Sequence, residues 1–412
     1  MHKIQLSLIV TLILLAANAP LAVAQKWIAS PPRTVVFPSN RSLGVLFVRR
    51  WAAVDPADMT WEDRFTFGHW KKLGEALGRV AVPAEMELAL LVSDEARDER
   101  SPLADLRPND LQSLHLNTQL ADTDLANIKH LTGLRQLIIG NSPDLGDAGL
   151  AHLKGLASLE FLVVWGCRRI DTGLGHLKNL PLLSELALGG TTLTDPAMTD
   201  IARLPALKKL QLLWDDVSDA GIGALGQSRS LDHLGLIGLD VTEAGIAGLK
   251  GSPLKGLSLE GCKAIDDKAL SHLSDMKSLV QLEVPGTPVT DSGLEALLKA
   301  LPRDKIEVLW LGATQATNRT LESLAGMTQL RELDLAGLAL TDDGMRSLKS
   351  LPKLRLLRLM GTGLTDKSVP YLSRLKALER LNVVDTEVTQ AGAKALRAAL
   401  PGCVVLFGKR DE

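Results

Sequence analysis

A pattern of the form L-x-x-L-x-L returns about every 24 residues from Leu111 to the end of the chain, and that period leaves few folds open. Its first apolar position falls at Leu111, Leu134, Leu159, Leu183, Leu207, Leu231, Leu254, Leu279, Ile306, Leu330, Leu354 and Leu378. The steps run from 23 to 27 residues, and 24 is the commonest. Twelve units at one spacing predict a solenoid, in which each unit leans on its neighbours and none makes a core alone. Phe, Trp and Tyr make up only 3% of the 412 residues. That scarcity suits a thin ribbon of aliphatic layers better than a compact enzyme interior. Function is therefore expected on a surface.

Each unit reads as three pieces. L-x-x-L-x-L is a short strand with alternate residues pointing inward. A turn follows, with Thr191, Thr287, Thr314, Thr362 and Thr386 where Cys167 and Cys262 stand in other units. A small polar side chain there satisfies backbone groups of the turn. A helix comes next. Asp122, Asp147, Asp171, Asp195, Asp219, Asp267, Asp291, Asp342 and Asp366 are expected at its N-cap, with Glu243, Asn318 and Gln390 in the other units. Apolar residues three apart, as in Leu150, Leu153 and Leu156, give the helix one buried stripe. Helices need about 10 Å of lateral room and strands about 4.8 Å, so the stack is expected to bend with its strands on the concave side.

The first 24 residues read as a secretion signal, with Lys3, an apolar run from Leu6 to Ala17, and Ala22-Val23-Ala24 before Gln25. Export to the periplasm, cell surface or medium is the expectation, with no membrane span after cleavage. Residues 25–101 do not repeat. They hold Trp27, Trp51, Trp61 and Trp70 and two strand-like stretches, 42–51 and 78–93, the second interrupted at Pro83. This part is expected to be a small β-rich module that also covers the open end of the repeats. Residues 102–412 are the repeat domain, about twelve units and a C-terminal cap, with Pro102 to Asn109 a partial unit. The three cysteines include no spaced pair. Cys167 and Cys262 lie four units apart, about 19 Å at ~4.8 Å per strand, and a disulfide needs Cα atoms within ~7 Å. Both are expected to be buried and reduced.

The consensus L-x-x-L-x-L-x-x-T-x-L-T-D-x-G-L resembles the leucine-rich repeat superfamily. Its T-D-x-G-L element, and the alternative form in W-G-C-R-R-I-D and E-G-C-K-A-I-D, are similar to the branch shared by exported bacterial repeat proteins and F-box-type proteins. The resemblance covers residues 102–407. It implies an α/β leucine-rich repeat solenoid, a right-handed curved coil with a parallel concave sheet and convex helices. It also implies recognition of a partner on the concave face. An F-box-like substrate adaptor is disfavoured by the export signal.

Between the inward strand residues stand outward ones. Phe161, Trp165, Leu213, Trp214, Ile237, Trp310, Leu356 and Met360 form an apolar set in a chain otherwise poor in aromatics. Contiguous apolar surface and exposed Trp mark contact sites. A polar set accompanies them: Glu185, Lys209, His233, Glu260, Gln281, Glu283, Glu332, Asp334, Arg358 and Arg380. These side chains either orient a charged partner or simply solvate the sheet. The partner-binding set is taken as Phe161, Trp165, Lys209, Leu213, Trp214, Ile237, Glu283, Trp310, Arg358 and Met360. The expected partner is a protein or peptide, with a glycan as a further option. The alternative is a structural scaffold of the cell envelope, acting through the convex helices or the N-terminal module.

A net charge of −2 argues against nucleic acid. The sequence has no H-E-x-x-H, G-x-S-x-G, phosphate-binding loop or C-x-x-C pattern. No enzyme activity, metal or cofactor is expected. His130, His152, His176 and His272 share one place in four units and read as solvent-facing rather than metal-binding. Asn40 and Asn318 fit the glycan-acceptor pattern.

Overall fold

The computed structural model describes residues 32–50, 70–93, 101–167 and 170–409. The secretion signal, Trp27, Trp51 and Trp61 lie outside the described residues. The chain divides into two compact units, residues 1–216 and 217–412.

The first unit opens with five strands: β1 (Arg33–Val36), β2 (Gly44–Arg50), β3 (Lys71–Glu75), β4 (Arg79–Val82) and β5 (Met86–Val92). β2, β4 and β5 fall in the expected stretches, whereas β1 and β3 lie outside them, and the interruption falls between Val82 and Met86, around Pro83. β1 and β4 form an antiparallel pair, and β2 lies antiparallel between β3 and β5. β5 then pairs in parallel with β6 (Ser113–Leu116), the first repeat strand. β7 (Gln136–Gly140), β8 (Phe161–Trp165), β9 (Glu185–Gly189) and β10 (Lys209–Leu213) extend the parallel ladder. The module thus continues the repeat sheet and pairs the edge that β6 would otherwise expose.

A buried ionic network ties the module to the repeats. Arg49 Nε donates to Glu87 Oε2 at 2.8 Å, and Arg135 Nη1 donates to Glu87 Oε1 at 3.1 Å. Arg135 also grips Glu160 through both carboxylate oxygens. The Arg49 guanidinium lies 4.4 Å from the centre of the Trp70 ring. One carboxylate, Glu87, therefore serves an arginine of β2 and an arginine of the second repeat.

The second unit carries β11 (His233–Ile237), β12 (Gly256–Ser258), β13 (Gln281–Glu283), β14 (Val308–Trp310), β15 (Glu332–Asp334), β16 (Leu356–Arg358), β17 (Arg380–Val384) and β18 (Val404–Gly408), parallel and in sequence order. The repeat leucines beneath both ladders are buried, from Leu111 through Leu159 and Leu279 to Leu378.

The outer segments are shorter than regular helices. Asp291–Ala300 and Gln390–Ala399 make full α-turns, whereas Thr172–Asn179 and Asp342–Ser350 are 3₁₀. A period of 24 residues leaves little chain after the strand and turn, and the tighter helix spans the return with fewer residues per turn.

Four of the five turn threonines behave as expected, and Thr191 instead donates its hydroxyl to the Asp215 carboxylate of the next unit. Thr287, Thr314, Thr362 and Thr386 donate their hydroxyls to the carbonyl three residues back, at 2.6–2.8 Å. Cys167 and Cys262 are buried and free.

The helix aspartates require a correction. In most units the N-cap is the residue before them, usually Thr, and the aspartate is the first helical residue. Its carboxylate reaches forward to the next unit. Asp219 accepts from the Thr242 backbone N–H, Asp267 from that of Thr290, Asp342 from that of Thr365 and Asp366 from that of Thr389, all within 2.8–2.9 Å. The same threonine hydroxyls donate to the second carboxylate oxygen. Within the first unit, Asp122 accepts from Gly146, Asp147 from Gly173 and Asp171 from Thr194. Asn318 Oδ1 accepts from the Thr341 N–H and its Nδ2 donates to the Thr341 hydroxyl, so its amide is engaged in this ladder. The histidines also bridge units: His130 Nε2 lies 2.7 Å from Leu106 O, and His272 Nε2 lies 3.0 Å from Glu243 Oε1. Those two are half-buried rather than solvent-facing.

Candidate functional site

In the first unit the register sets the strand-side face in rows. Ser113, Gln136, Phe161, Glu185 and Lys209 are successive partners. Gly140, Trp165, Gly189 and Leu213 form the row near the strand ends. Gly140 is glycine for a reason: a Cβ there would collide with the Trp165 indole nitrogen, whereas a Cβ at Gly189 would press on Leu213. The indole is folded over its neighbour and is half-buried.

The residue after each of these strands has positive φ. It is Asn141 after β7, Gly166 after β8 and Gly190 after β9, with φ of 53°, 64° and 59°. After β10 it is Trp214, at φ 52°. Glycine takes this conformation without steric cost, whereas a bulky L-residue there is an outlier. Trp214 is nonetheless 40% exposed. Asp215 beside it is buried and turns back to the preceding unit, accepting from the Thr191 N–H at 2.7 Å and the Thr191 hydroxyl at 2.8 Å. Burial pushes the Asp215 carboxyl up to about 6, against the lowering effect of those Thr191 bonds.

The exposure expected of the other partner-binding residues is not what the structure shows. Phe161, Lys209 and Leu213 in the first unit are buried, as are Ile237, Glu283 and Trp310 in the second. Arg358 and Met360 are half-buried. The physical reason is the parallel register. Outward side chains repeat at the ~4.8 Å strand spacing, so each large one is covered by its partners on adjacent strands. Trp310, 3% exposed, lies beneath the Arg358 guanidinium, 4.7 Å from its ring centre. Lys209 Nζ and Glu185 Oε1, register partners, are 3.9 Å apart. The polar residues do not merely solvate the sheet either: Glu260, Gln281, Glu283 and Asp334 are all buried.

Among the described residues no group of His, Cys, Asp and Glu is arranged to hold a metal ion, and no helix is long and apolar enough to cross a membrane. The His115 imidazole is held down to about 3 by burial.

Parallel strands from L-x-x-L-x-L segments, closed by a threonine turn and a short outer helix, make the chain a leucine-rich repeat protein in fold. No family model matches it. A curated relative, the ribonuclease inhibitor of Mus musculus, is 36% identical over 80 residues. That stretch is 18% of this chain and 18% of the relative, so the chain matches under a fifth of that protein's length. Among solved structures, an internalin from Listeria monocytogenes is 23% identical with a TM-score of 0.45, covering 66% of this chain and 80% of its own. A leucine-rich repeat protein of Leptospira interrogans is 21% identical with a TM-score of 0.41, covering 73% and 84%. The yeast complex of Rad7 and Elc1 gives 18% identity, a TM-score of 0.46 and coverage of 69% and 83%.

Proposed function

We propose that the chain is an exported, non-enzymatic recognition protein that binds a protein partner on the strand-side face of its repeats. The leucine-rich repeat fold supports recognition in general. The observation that carries the particular reading is Trp214, an exposed indole in a left-handed conformation that most sister units give to glycine and three give to the smaller Asn141, Ala313 and Asp385. A bulky residue held there costs about 1–3 kcal/mol. Such a cost is tolerated where the side chain has work at a surface, and Trp is the residue most enriched in binding hot spots. Trp165, seated over Gly140 one row away, supplies further aromatic surface. In the first unit Phe161, Lys209 and Leu213 are buried and share the strand-side face with it. In the second unit Arg358 and Met360 are the accessible members of the set, with Trp310 beneath Arg358, while Ile237 and Glu283 are buried.

The test is partner capture from the exported fraction with the full chain as bait, beside Trp214→Gly and Trp165→Ala baits. A protein retained by the wild-type chain and lost from both variants, with unchanged circular dichroism, is the expected result. An identical captured set from all three baits would remove this surface from consideration.

A further inference from the structure

β18 is an edge strand, paired with β17 alone. The Val404 N–H donates to the Glu379 carbonyl, and the Gly408 carbonyl accepts from the Asp385 N–H. In a parallel ladder this alternation directs the backbone groups of residues 404, 406 and 408 at β17, and those of Val405 and Phe407 outward. One outward group is occupied. Arg397, on the helix that leads into β18, donates from Nη2 to the Val405 carbonyl at 2.8 Å, with its guanidinium 4.9 Å from the Phe407 ring centre. Among the described residues nothing else meets the outward N–H and C=O groups of Val405 and Phe407.

Edge strands invite pairing with another chain, and most are blunted by charge, proline or a bulge. β3, another edge strand, is blunted in this way: it carries Lys71, Lys72 and Glu75 and meets β2 with a register irregularity. β18 reads Val-Val-Leu-Phe-Gly, in continuous register and without charge or proline. Val404 is 54% exposed and Leu406 42%, the only large apolar side chains so exposed among the described residues of the second unit.

The outward groups of this strand are complementary to themselves. About a two-fold axis at Leu406, an antiparallel copy sets Val405 opposite Phe407 of the second copy, and Phe407 opposite its Val405. Each pair exchanges two N–H···O bonds, so every outward group finds a partner. Leu406 then meets Leu406 of the second copy on the strand-side face. Val404 lies against Gly408 of the second copy, which has no side chain to obstruct it. Lys409 falls opposite Cys403, so no like charges are paired strand to strand.

We propose that β18 pairs in this register with β18 of a second copy of the chain, and that Arg397 competes for the Val405 carbonyl. The match is between β18 and itself, which commits the edge to a second copy rather than to an unrelated strand. Such a contact is isologous and uses up both edges, so association stops at a dimer. The contact is small, so the dimer is weak and depends on concentration. It involves neither Trp214 nor the surface around it.

The experiment is sedimentation equilibrium of the full chain across a wide concentration range, and a reversible dimer is expected. Arg397→Ala should tighten it about tenfold, because a competing charge-assisted bond no longer has to be broken. Leu406→Lys, at an exposed position, sets two ammonium groups at the axis and should abolish it. Crosslinking in a Cys403→Ser background reads the register. Across the axis the Leu406 Cα atoms stand about 4.5 Å apart, within the ~7 Å that a disulfide spans. Those of Val404 stand about 14 Å apart. Mild oxidation should therefore join Leu406→Cys chains and leave Val404→Cys chains single. A monomer at every concentration for both the wild-type chain and Arg397→Ala would overturn the proposal. So would a dimer that survives Leu406→Lys, or equal crosslinking from both cysteine positions. Loss of the dimer in Trp214→Gly would overturn it too, by assigning the contact to that surface.

Discussion

Trp214 is a residue whose local conformation and side chain pull in opposite directions. Its φ of 52° suits glycine, and Gly166 and Gly190 occupy the same place in the two preceding units. Trp214→Gly should therefore raise stability by about 1 kcal/mol in urea unfolding, since the strain it relieves outweighs what a partly exposed indole contributes. A loss of stability on that change would mean that the indole packs more firmly than its exposure suggests. The cysteines give a second residue-scale prediction. Burial raises the Cys167 thiol to about 12 and the Cys262 thiol to about 11, so neither forms thiolate near neutral pH. Cys403 is only half-buried. A thiol-reactive chromophore should titrate one group promptly in the native protein and three after denaturation.

At the scale of an element, several of the short helices begin on a threonine that works in two directions. The Thr365 hydroxyl accepts from the Lys367 N–H and donates to Asp342 of the unit before. Thr242, Thr290 and Thr389 repeat the arrangement with Asp219, Asp267 and Asp366. Asp342→Ala would strip two charge-assisted bonds from the next helix start and is expected to cost about 2–3 kcal/mol. Asp342→Asn should cost less than half of that, because Asn318 already serves Thr341 with an amide. Chemical denaturation of the two variants distinguishes the outcomes. The T-D spacing is visible in the sequence, and it reads naturally as a cap within one helix. The true partner lies 23 residues ahead, and only the stacked geometry brings it within reach.

At the scale of the molecule, each of the two units has its own polar anchor. In the first, Glu87 lies between Arg49 and Arg135, and all three are buried. Glu87→Ala takes the buried carboxylate from Arg49 and leaves Arg135 with Glu160 alone, and should cost about 3–5 kcal/mol, read as a lower unfolding midpoint. In the second, Glu283 and Glu260 keep protons to about 8 and about 7, well above the ordinary carboxyl value of 4.5. Between those limits the folded chain holds protons that the unfolded chain has released. Stability should therefore fall as pH rises from about 5 to 8, by a few kcal/mol in total. A thermal midpoint that rises over that range would contradict the buried acids. The repeat ladder and most strand positions were legible in the sequence, because Leu111 to Leu378 mark them with a local period. The covering of Phe161, Trp310 and Glu283 was not, because it depends on register partners one unit away. The Arg49–Glu87–Arg135 network was hidden for the same reason: its members are 38 and 48 residues apart and follow no pattern.

The aspartate ladder has a polarity. Each carboxylate waits for a threonine that comes later in the chain. A ribosome delivers the amino end first, so the acceptor is in place before its donor leaves the exit tunnel. The last unit made can settle at once on the one before it, and assembly can keep pace with translation.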